Sequence, residues 1–437
     1  MRISLVILTT ILTSFYFFPF EFAFLPGVNT KMAMAGVGLV WFILNLVQKR
    51  QGTIDKRMFI LSILAMTLSV FSLIAMIYNN TRDGSFLTYF ISMWVWLGGA
   101  YMAINVMKKV HGYVSVKLVC HYLIAVCVSQ CILAYAMALL PALKNIIDSF
   151  LGGQDAFMGK AEGRLYGIGA ALDVAGIRYA AVLVIIAVLL QSVQNQRRSD
   201  MWLYLIAFLI ISVFGNMMAR TTTVGVIIAL IYWAISSGTF TFLLRTNSVR
   251  IWKYLIIILS LSLPIIIYLY SSNEQFQENI RFAFEGFFSL AETGKWETSS
   301  NEILLNHMIV FPETLKTWLI GDGYGANPLS DPYYIGPQYH GFYMGTDIGY
   351  LRFLFYFGIF GLVALVSVIC YAASICVQRF TSYRTMFYLI LLVNLIVWCK
   401  VSTDIFMLFA LFLCVSKEDN DAYEKEYEDS IPDSLDV

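Results

Sequence analysis

The chain has 437 residues, of which 59% are hydrophobic and 13% are charged, and its formal net charge is +1. Soluble domains carry about 25% charged residues, so the composition excludes an ordinary soluble protein. The balanced charge gives no reason to expect a nucleic-acid partner. The lipid bilayer is the expected environment.

Apolar runs close to the ~20 residues that cross a hydrocarbon core predict an all-α integral membrane protein with about twelve transmembrane helices. The predicted spans are 4–24, 32–47, 58–78, 86–107, 117–140, 175–193, 201–219, 222–240, 254–271, 348–376, 385–400 and 404–416. They form one polytopic membrane domain, residues 1–416. No small-residue cleavage site follows the first span, so we expect it to be retained as a signal anchor.

Lysine and arginine concentrate in short connections, a pattern typical of cytoplasmic loops. The basic connections are 48–57, 107–117, 194–200, 245–253 and 378–384. With these loops inside, both termini are predicted to be cytoplasmic. The last segment, 417–437, is acidic and nearly free of large apolar residues, so we expect a disordered cytoplasmic tail.

Two connections are long, and both face outside in this topology: a medium loop, 141–174, and a large loop, 272–347. Long loops in compact proteins are usually functional or disordered. The large loop contains apolar residues at helical spacing, which predict an amphipathic helix on the bilayer surface. Those residues are Phe276, Ile280, Phe284, Phe287 and Phe288. A second apolar-periodic piece covers 301–321.

Three outward-facing arginines are candidates for binding an anion: Arg164, Arg220 and Arg281. An ionisable residue at membrane depth is costly and is by default a candidate for function. Arg220 lies in the short hinge ARTTTVG with no carboxylate near it in sequence, which favours a binding role. Arg281 has Glu278 and Glu285 at positions i−3 and i+4, so an ion pair on the helix surface is equally consistent.

The segment 321–350 is rich in Gly, Tyr and Asp and holds two candidates for a general base, His340 and Asp347. The structural alternatives are a packed loop residue for His340 and an N-cap of the following span for Asp347. The glycines of GDGYG are compatible with an anion-binding nest, although such clusters are common in turns. Arg352, one turn inside the next span, is expected to extend toward the membrane interface.

The sequence gives no sign of a metal or a cofactor. All seven cysteines lie in apolar spans, and no spacing of His, Cys, Asp and Glu matches a metal-ligand pattern. No glycine motif of the GxxxxGK[ST] type occurs either. We therefore expect neither a metal nor a cofactor.

These features together resemble the Wzy-type O-antigen polymerases and, more distantly, the O-antigen ligases. The likeness rests on the span count, the two unequal outer loops, the hinge ARTTTVG, and the passage WLIGDGYG followed by TDIGYLRFLFYFGIFGL. It implies a GT-C-like polymerase/ligase architecture in the bacterial inner membrane. It also implies transfer of a growing glycan from undecaprenyl diphosphate to a new lipid-linked repeat unit on the periplasmic face. A chain-length regulator and a flippase would be partners in the same process.

The resemblance further implies roles for individual residues. Arg220 and Arg281 would line the diphosphate site, Arg164 would be the loop arginine of the polymerases, and Tyr324 would bind substrate from the GDGYG turn. These residue types suit the chemistry, because arginine binds a diphosphate leaving group through bidentate hydrogen bonds. The reaction would then be independent of metal.

The incoming sugar hydroxyl needs a base, which the resemblance assigns to the large loop. His340 corresponds to the loop histidine of the ligases, and Asp347 is the competing candidate. Gly341 follows His340 where the ligases have asparagine, so the motif favours a polymerase over a ligase.

Two other readings stay open. One is an O-antigen ligase or another lipid-linked glycan transferase of the same fold. The other is a lipid-linked oligosaccharide flippase or transporter, which is expected to show internal repeats and Gly- or Pro-broken spans in both halves. The sequence shows no convincing repeat, and the single large loop breaks any symmetry between two halves.

Overall fold

The computed structural model describes residues 2–49, 55–152, 163–191, 198–237, 246–328, 339 and 341–429. These residues form helices and no strand, apart from two isolated β-bridges, Glu21 to Asn29 and Phe22 to Leu151. The predicted all-α class is therefore confirmed for the part of the chain that is described.

The bundle consists of helices that follow the predicted apolar runs. They are α1 (Arg2–Phe17), α2 (Thr30–Lys49), α3 (Lys56–Asn79), α4 (Tyr89–His111), α5 (Val116–Leu139), α7 (Leu172–Gln191), α8 (Arg198–Met218), α9 (Thr222–Ser236), α10 (Thr246–Ser272), α15 (Gly349–Arg379), α16 (Arg384–Val397) and α17 (Phe406–Leu413). Eight of the described helices, α2 to α5, α7, α8, α10 and α15, are long and apolar enough to cross a membrane by length and composition. The count of twelve spans and the GT-C-like architecture stay predictions.

Shorter helices lie in the connections and at the C-terminus. They are α6 (Pro141–Phe150), α11 (Glu274–Ala283), α12 (Glu285–Thr293), α13 (Ser299–Ile303), α14 (Leu315–Leu319) and α18 (Lys417–Asp429). The predicted amphipathic helix is present as two helices, α11 and α12, which meet at Phe284. Asn273 starts α11, because its side chain accepts a hydrogen bond from the backbone N–H of Phe276 at 2.8 Å.

Helix α7 is the centre of the bundle, and every residue from Ala175 to Leu190 is buried. It packs against α8, α9 and α16. Helix α9 approaches it so closely that a Cβ at Gly225 would lie 2.3 Å from the Cα of Ala180. Only glycine fits at that crossing, and the crossing fixes the hinge that joins α8 to α9.

Helix α15 is interrupted at Phe357 and Gly358, and Gly358 has a φ of +69°. A Cβ at Gly358 would lie 2.2 Å from the carbonyl oxygen of Leu319. The break frees the carbonyl groups of Phe355 and Tyr356. They accept hydrogen bonds from the backbone N–H groups of Asp322, at 2.6 Å, and Gly323, at 3.0 Å. The GDGYG turn is thus anchored in the break of a membrane helix.

The last two bundle helices are shorter than their predicted spans. At 1.5 Å per residue, α16 is about 21 Å long and α17 about 12 Å, against a hydrocarbon core of ~30 Å. All eight residues of α17 are buried. In the connection between them, 398–405, Trp398, Val401 and Ile405 are buried, while Cys399 is exposed.

The prediction of a disordered tail is wrong for residues 417–429, which form α18. Asn420 is buried, and its side chain accepts a hydrogen bond from the N–H of Val116 at 3.0 Å. Lys108 pairs with Asp419 at 2.6 Å. These polar contacts with the connection between α4 and α5 replace the apolar burial that the tail lacks. Residues 430–437 lie outside the described part.

Three of the predicted basic connections, represented by Asp55, 107–117 and 378–384, lie at one end of the bundle. At one end α18 contacts the basic connections 107–117 and 378–384, and Arg379 lies 3.4 Å from Asp55. At the other end the two long loops meet the hinge 219–221 and the connection 398–405, and we call this end the loop face. That the loop face is extracytoplasmic stays a prediction.

Candidate functional site

Two of the three predicted arginines converge on one aromatic ring at the loop face. The guanidinium carbon of Arg164 lies 4.6 Å from the centroid of the Phe282 ring, and that of Arg220 lies 4.7 Å from it. Arg164 comes from the medium loop, Arg220 from the hinge and Phe282 from α11. Burial, and then the charge of Arg164, lower the pKa of Arg220. An anion bound between the two arginines would relieve this repulsion.

The position of Arg220 is fixed by Glu285, the first residue of α12. Arg220 Nη1 forms an ion pair with Glu285 Oε2. Glu285 Oε1 also accepts a hydrogen bond from the N–H of Ser299 at 3.0 Å, which joins α12 to α13. The side chain of Arg220 is 13% exposed and that of Glu285 is 33% exposed. The ion pair fixes the orientation of the guanidinium group, which also lies over the Phe282 ring.

Arg281 contacts residues of α12. Its Nη2 donates to Glu292 Oε1 at 2.7 Å, and its guanidinium lies over the Phe288 ring at 4.9 Å from the centroid. The side chain is 44% exposed. The predicted surface ion pair of Arg281 exists, but its partner is Glu292 and not Glu278 or Glu285. Glu285 is instead bound by Arg220.

A cleft of about 530 Å³ opens between α11, α12 and α13. Arg281 lines it together with Phe282 and Glu285, the two residues that contact Arg220, while Arg164 and Arg220 themselves are not part of its lining. Its lining combines aromatic rings with hydroxyls and carboxylates, including Phe282, Phe288, Ser289, Thr293, Glu292 and Glu302. Aromatic rings offer stacking surface and the polar groups offer hydrogen bonds. This combination suits a sugar.

Asp347 does not cap α15, which corrects the capping alternative. The residue at the cap position is Ile348. The carboxylate of Asp347 instead accepts a hydrogen bond from Ser402 at 3.2 Å and lies 3.6 Å from Arg352 Nη1. Burial raises the pKa of Asp347 to about 6, although Arg352 lowers it in part. Asp347 therefore has the proton affinity of a general base that works near neutral pH.

Arg352 is held by polar contacts on the loop face, and its predicted approach to the membrane interface stays a prediction. Its Nε donates to the carbonyl oxygen of Gly325 at 2.8 Å, and its Nη1 donates to Ser402. Its guanidinium lies over Phe342, 3.5 Å from the ring centroid. Arg352 thus connects the GDGYG turn to the carboxylate of Asp347.

The glycine turn does not offer a free anion nest, because an aspartate of the protein already occupies it. Asp83 Oδ2 accepts hydrogen bonds from the N–H groups of Gly325 and Ala326, each at 2.8 Å. The Tyr324 ring packs at a tilt against the Tyr343 ring, with ring centroids 5.5 Å apart. The structure places Tyr324 in the wall beside Arg352 and not beside Phe282.

Two residues that sequence reasoning missed carry charges that act on both Arg220 and Asp347. Asp173, at the start of α7, accepts a hydrogen bond from the hydroxyl of Thr221. Its charge acts on Arg220 and on Asp347. Lys400, in the connection 398–405, interacts electrostatically with Asp173, Arg220, Arg164 and Asp347. The only sequence signal for either was a charge at the end of a predicted span.

His340 lies outside the described residues, so its predicted role as a base stays a prediction. Within the described ranges no group of three or more His, Cys, Asp or Glu residues is arranged to hold a metal ion. That leaves the predicted independence of metal untested.

Comparisons with known proteins do not assign the chain to a family. No family model matches it, and neither a curated protein nor a solved structure shows a significant match.

Proposed function

We propose that this chain is a polysaccharide polymerase of the O-antigen type in the bacterial inner membrane. It would transfer a growing glycan from undecaprenyl diphosphate to a new lipid-linked repeat unit at the loop face. In this proposal the loop face is periplasmic and both termini are cytoplasmic.

The observation that carries the proposal is the convergence of Arg164 and Arg220 on Phe282 at the loop face, where Asp347 also lies. A glycosyl transfer from a lipid diphosphate needs cations for the departing diphosphate and a base for the attacking hydroxyl. Both kinds of group meet at one end of the bundle.

The arginines suit the leaving group. When the bond between the anomeric carbon and the diphosphate oxygen breaks, negative charge grows on the diphosphate. Arg164 and Arg220 would bind that charge through N–H groups that stay protonated at every physiological pH. Because their positions are set by Glu285 and by the Phe282 ring, little reorganisation is needed during the reaction.

Asp347 suits the attacking group. The hydroxyl of the acceptor sugar bonds to the anomeric carbon and gives its proton to the carboxylate of Asp347. With a pKa of about 6, the carboxylate is ionised at neutral pH yet basic enough to accept a proton in the transition state. His340 is the alternative base.

The cleft between α11, α12 and α13 would hold sugars of the donor or the acceptor. It begins at Phe282 and Glu285, the residues that contact Arg220, and extends to Glu302. A glycan attached to a diphosphate beside Arg220 would therefore run along its aromatic and hydroxyl lining.

The test is reconstitution of the purified protein in vesicles with a lipid-linked repeat unit from its own host. We expect a ladder of longer lipid-linked glycans, lost in Arg220→Ala. If the protein only moves the lipid-linked substrate across the bilayer and makes no longer glycan, it is a flippase and not a polymerase. Transfer to an acceptor other than a repeat unit would replace it by a ligase.

A further inference from the structure

We propose that residues 303–319 of the large loop are a membrane anchor that lies in the headgroup region of the bilayer at the loop face. We call these residues the anchor segment. Its partner is the lipid surface, so the inference goes beyond the proposed function and does not depend on it. It rests on the position of the segment along two membrane helices and on the side chains that it directs outward.

The anchor segment has an inner and an outer row of apolar side chains. It consists of the end of α13, a π-helical turn over Leu304–Met308, an extended piece and α14. Leu304, Met308 and Val310 of the inner row pack against Leu351 and Phe355 in the first turns of α15. The outer row is large, apolar and exposed, and it includes Ile303, Leu305, Ile309, Phe311, Leu315 and Trp318. Such a row marks an interaction surface.

The length of α15 indicates where the hydrocarbon core ends. The whole helix is about 46 Å long at 1.5 Å per residue, which exceeds a core of ~30 Å. The part that follows the break at Gly358, residues 359–379, is about 31 Å long and therefore matches the core. The break then lies at the boundary between the hydrocarbon and the headgroups.

Helix α3 marks the same boundary independently. It ends at Asn79, whose side chain donates a hydrogen bond to the carbonyl oxygen of Gly321 at 3.1 Å, in the turn that is anchored in the break of α15. At the opposite end of both helices, Arg379 lies 3.4 Å from Asp55. α3 is about 36 Å long, so two neighbouring helices cross one membrane-sized layer between the same two levels.

Helix α14 is fixed at the level of the break. The carbonyl oxygen of its last residue, Leu319, lies against Gly358. On the side of the turn, Lys316 Nζ donates to Asp322 Oδ1 at 2.6 Å, and the hydroxyl of Thr317 donates to the same oxygen at 2.8 Å. These contacts leave the other side of α14 to face outward at the predicted boundary.

The outer row has the composition of a membrane interface. Trp318, whose Nε1 donates to the carbonyl oxygen of Pro312 at 2.9 Å, lies beside the boundary, where tryptophan is enriched in membrane proteins. From α14 the segment rises along α15 toward Leu351, about 10 Å above the break. Interfacial segments are buried by about 5–10 Å. The exposed carboxylate of Glu313 suits this shallow position and is unsuited to the hydrocarbon core.

The outer row also continues a surface that faces lipid. Below the break, Phe360 and Val363 of α15 and Ile74 and Ile77 of α3 are exposed. Helices of this length and composition have their exposed apolar side chains in lipid. Because the anchor segment adjoins α15 at the break, one bilayer covers both surfaces.

The anchor places the cleft at the membrane. Ser299 and Glu302 of α13 line the cleft, and the next residue, Ile303, is the first of the outer row. One wall of the cleft is therefore tied to the lipid surface. A molecule that is attached to a membrane lipid reaches the cleft without leaving the bilayer.

The test is spin labelling of the full-length protein in vesicles of phosphatidylethanolamine and phosphatidylglycerol. The labels are placed at Leu315→Cys and Leu305→Cys, where the natural side chains are 74% and 65% exposed, in a Cys399→Ser background that removes the exposed native thiol. Oxygen concentrates in lipid and a nickel chelate is excluded from it. We expect oxygen to relax both labels several-fold more than the chelate. Ile77→Cys on α3 should behave alike, and Asp421→Cys on α18 should show the reverse.

Two results would overturn the anchor. If the chelate relaxes both labels as strongly as it relaxes the label at Asp421→Cys, the outer row faces water. If neither reagent reaches them, protein covers the row, and spin–spin broadening that disappears on dilution with unlabelled protein identifies a second copy of the chain. Either result leaves the polymerase proposal standing, since that proposal rests on Arg164 and Arg220. Thermal unfolding of each variant checks its fold, and Leu305→Cys decides if Leu315→Cys does not fold.

Discussion

Arg220 forms an ion pair with Glu285, a residue 65 positions later in the chain. The pair connects the hinge between α8 and α9 to the first turn of α12, so the large loop is locked onto the bundle at the candidate site. It also explains how an arginine with no acidic neighbour in sequence is held in a defined orientation beside Phe282.

Replacement of Arg220 and replacement of Arg281 should differ in their effect on activity. Arg220→Ala is expected to reduce polymer formation by about a hundredfold or more, because a preorganised contact to the leaving group is lost. Arg281→Ala should reduce it only a few-fold, since Arg281 is bound to Glu292 at the exposed rim. The measurement is the initial rate in vesicles at matched protein levels. Equal losses in both variants would contradict the geometry.

The dependence of turnover on pH should report Asp347. Burial raises its pKa to about 6, and the base must be ionised, so activity should rise as the pH increases through about 6 and then level off. Arg352 lowers this pKa, so Arg352→Met should move the rise to higher pH. Rates measured from about pH 5 to about pH 8 test both statements.

The identity of the base is decided by two variants. If Asp347 is the base, Asp347→Asn should lower turnover by about 10²–10⁴-fold and remove the rise with pH. His340→Ala should then keep the profile. The reverse result, with the profile kept in Asp347→Asn and lost in His340→Ala, would assign the base to His340.

The anchoring of the glycine turn should contribute to stability. Asp83→Ala would leave the N–H groups of Gly325 and Ala326 without their acceptor, at a cost of about 1–3 kcal/mol. Burial raises the pKa of Asp83, but the hydrogen bonds from Ala326, Ser85 and Gly325 lower it, and the net change is a lowering. This stabilisation is therefore present above the ordinary pKa of aspartate and is lost as the pH falls. Thermal unfolding in detergent, with Asp421→Ala as the exposed control, measures it.

The break in α15 should tolerate no side chain. Gly358→Ala would place a Cβ 2.2 Å from the carbonyl oxygen of Leu319 at a φ of +69°. We expect a loss of about 1–3 kcal/mol or more from strain alone, and a displaced GDGYG turn. Gly84→Ala is the matched control, because a Cβ there would meet its nearest neighbour at an ordinary 3.9 Å. An unchanged unfolding temperature for Gly358→Ala would contradict the described break.

The positions of the helices could be predicted from the sequence because membrane helices satisfy their backbone within one apolar run. Hydropathy does not reveal where such a helix breaks, and the break at Gly358 depends on hydrogen bonds from residues more than thirty positions earlier. The last span was predicted at 404–416, whereas α17 covers only Phe406–Leu413. Hydropathy does not distinguish an apolar run that is surrounded by protein from one that is surrounded by lipid.

The sequence identified several residues of the candidate site, but it did not predict how they are arranged in space. Arg164 and Arg220 stood out because charge is costly near a membrane. Their meeting at Phe282, and the turn of Arg281 toward Glu292, depend on the fold of the large loop. Lys400 looked like the end of a span, and the local cap pattern around Asp347 hid its contacts with Ser402 and Arg352, which are distant in sequence or on the next helix turn.

The most direct test of the central claim is a single-turnover reaction with radiolabelled lipid-linked donor, excess acceptor repeat unit and purified protein in vesicles. The account predicts that label appears in a lengthened acceptor as undecaprenyl diphosphate is released in equal amount. Asp347→Asn should bind the donor without completing the transfer, and Arg220→Ala should transfer label about a hundredfold more slowly or less. Absence of transfer by the unchanged protein with its own substrates, or full transfer by both variants, would contradict the account.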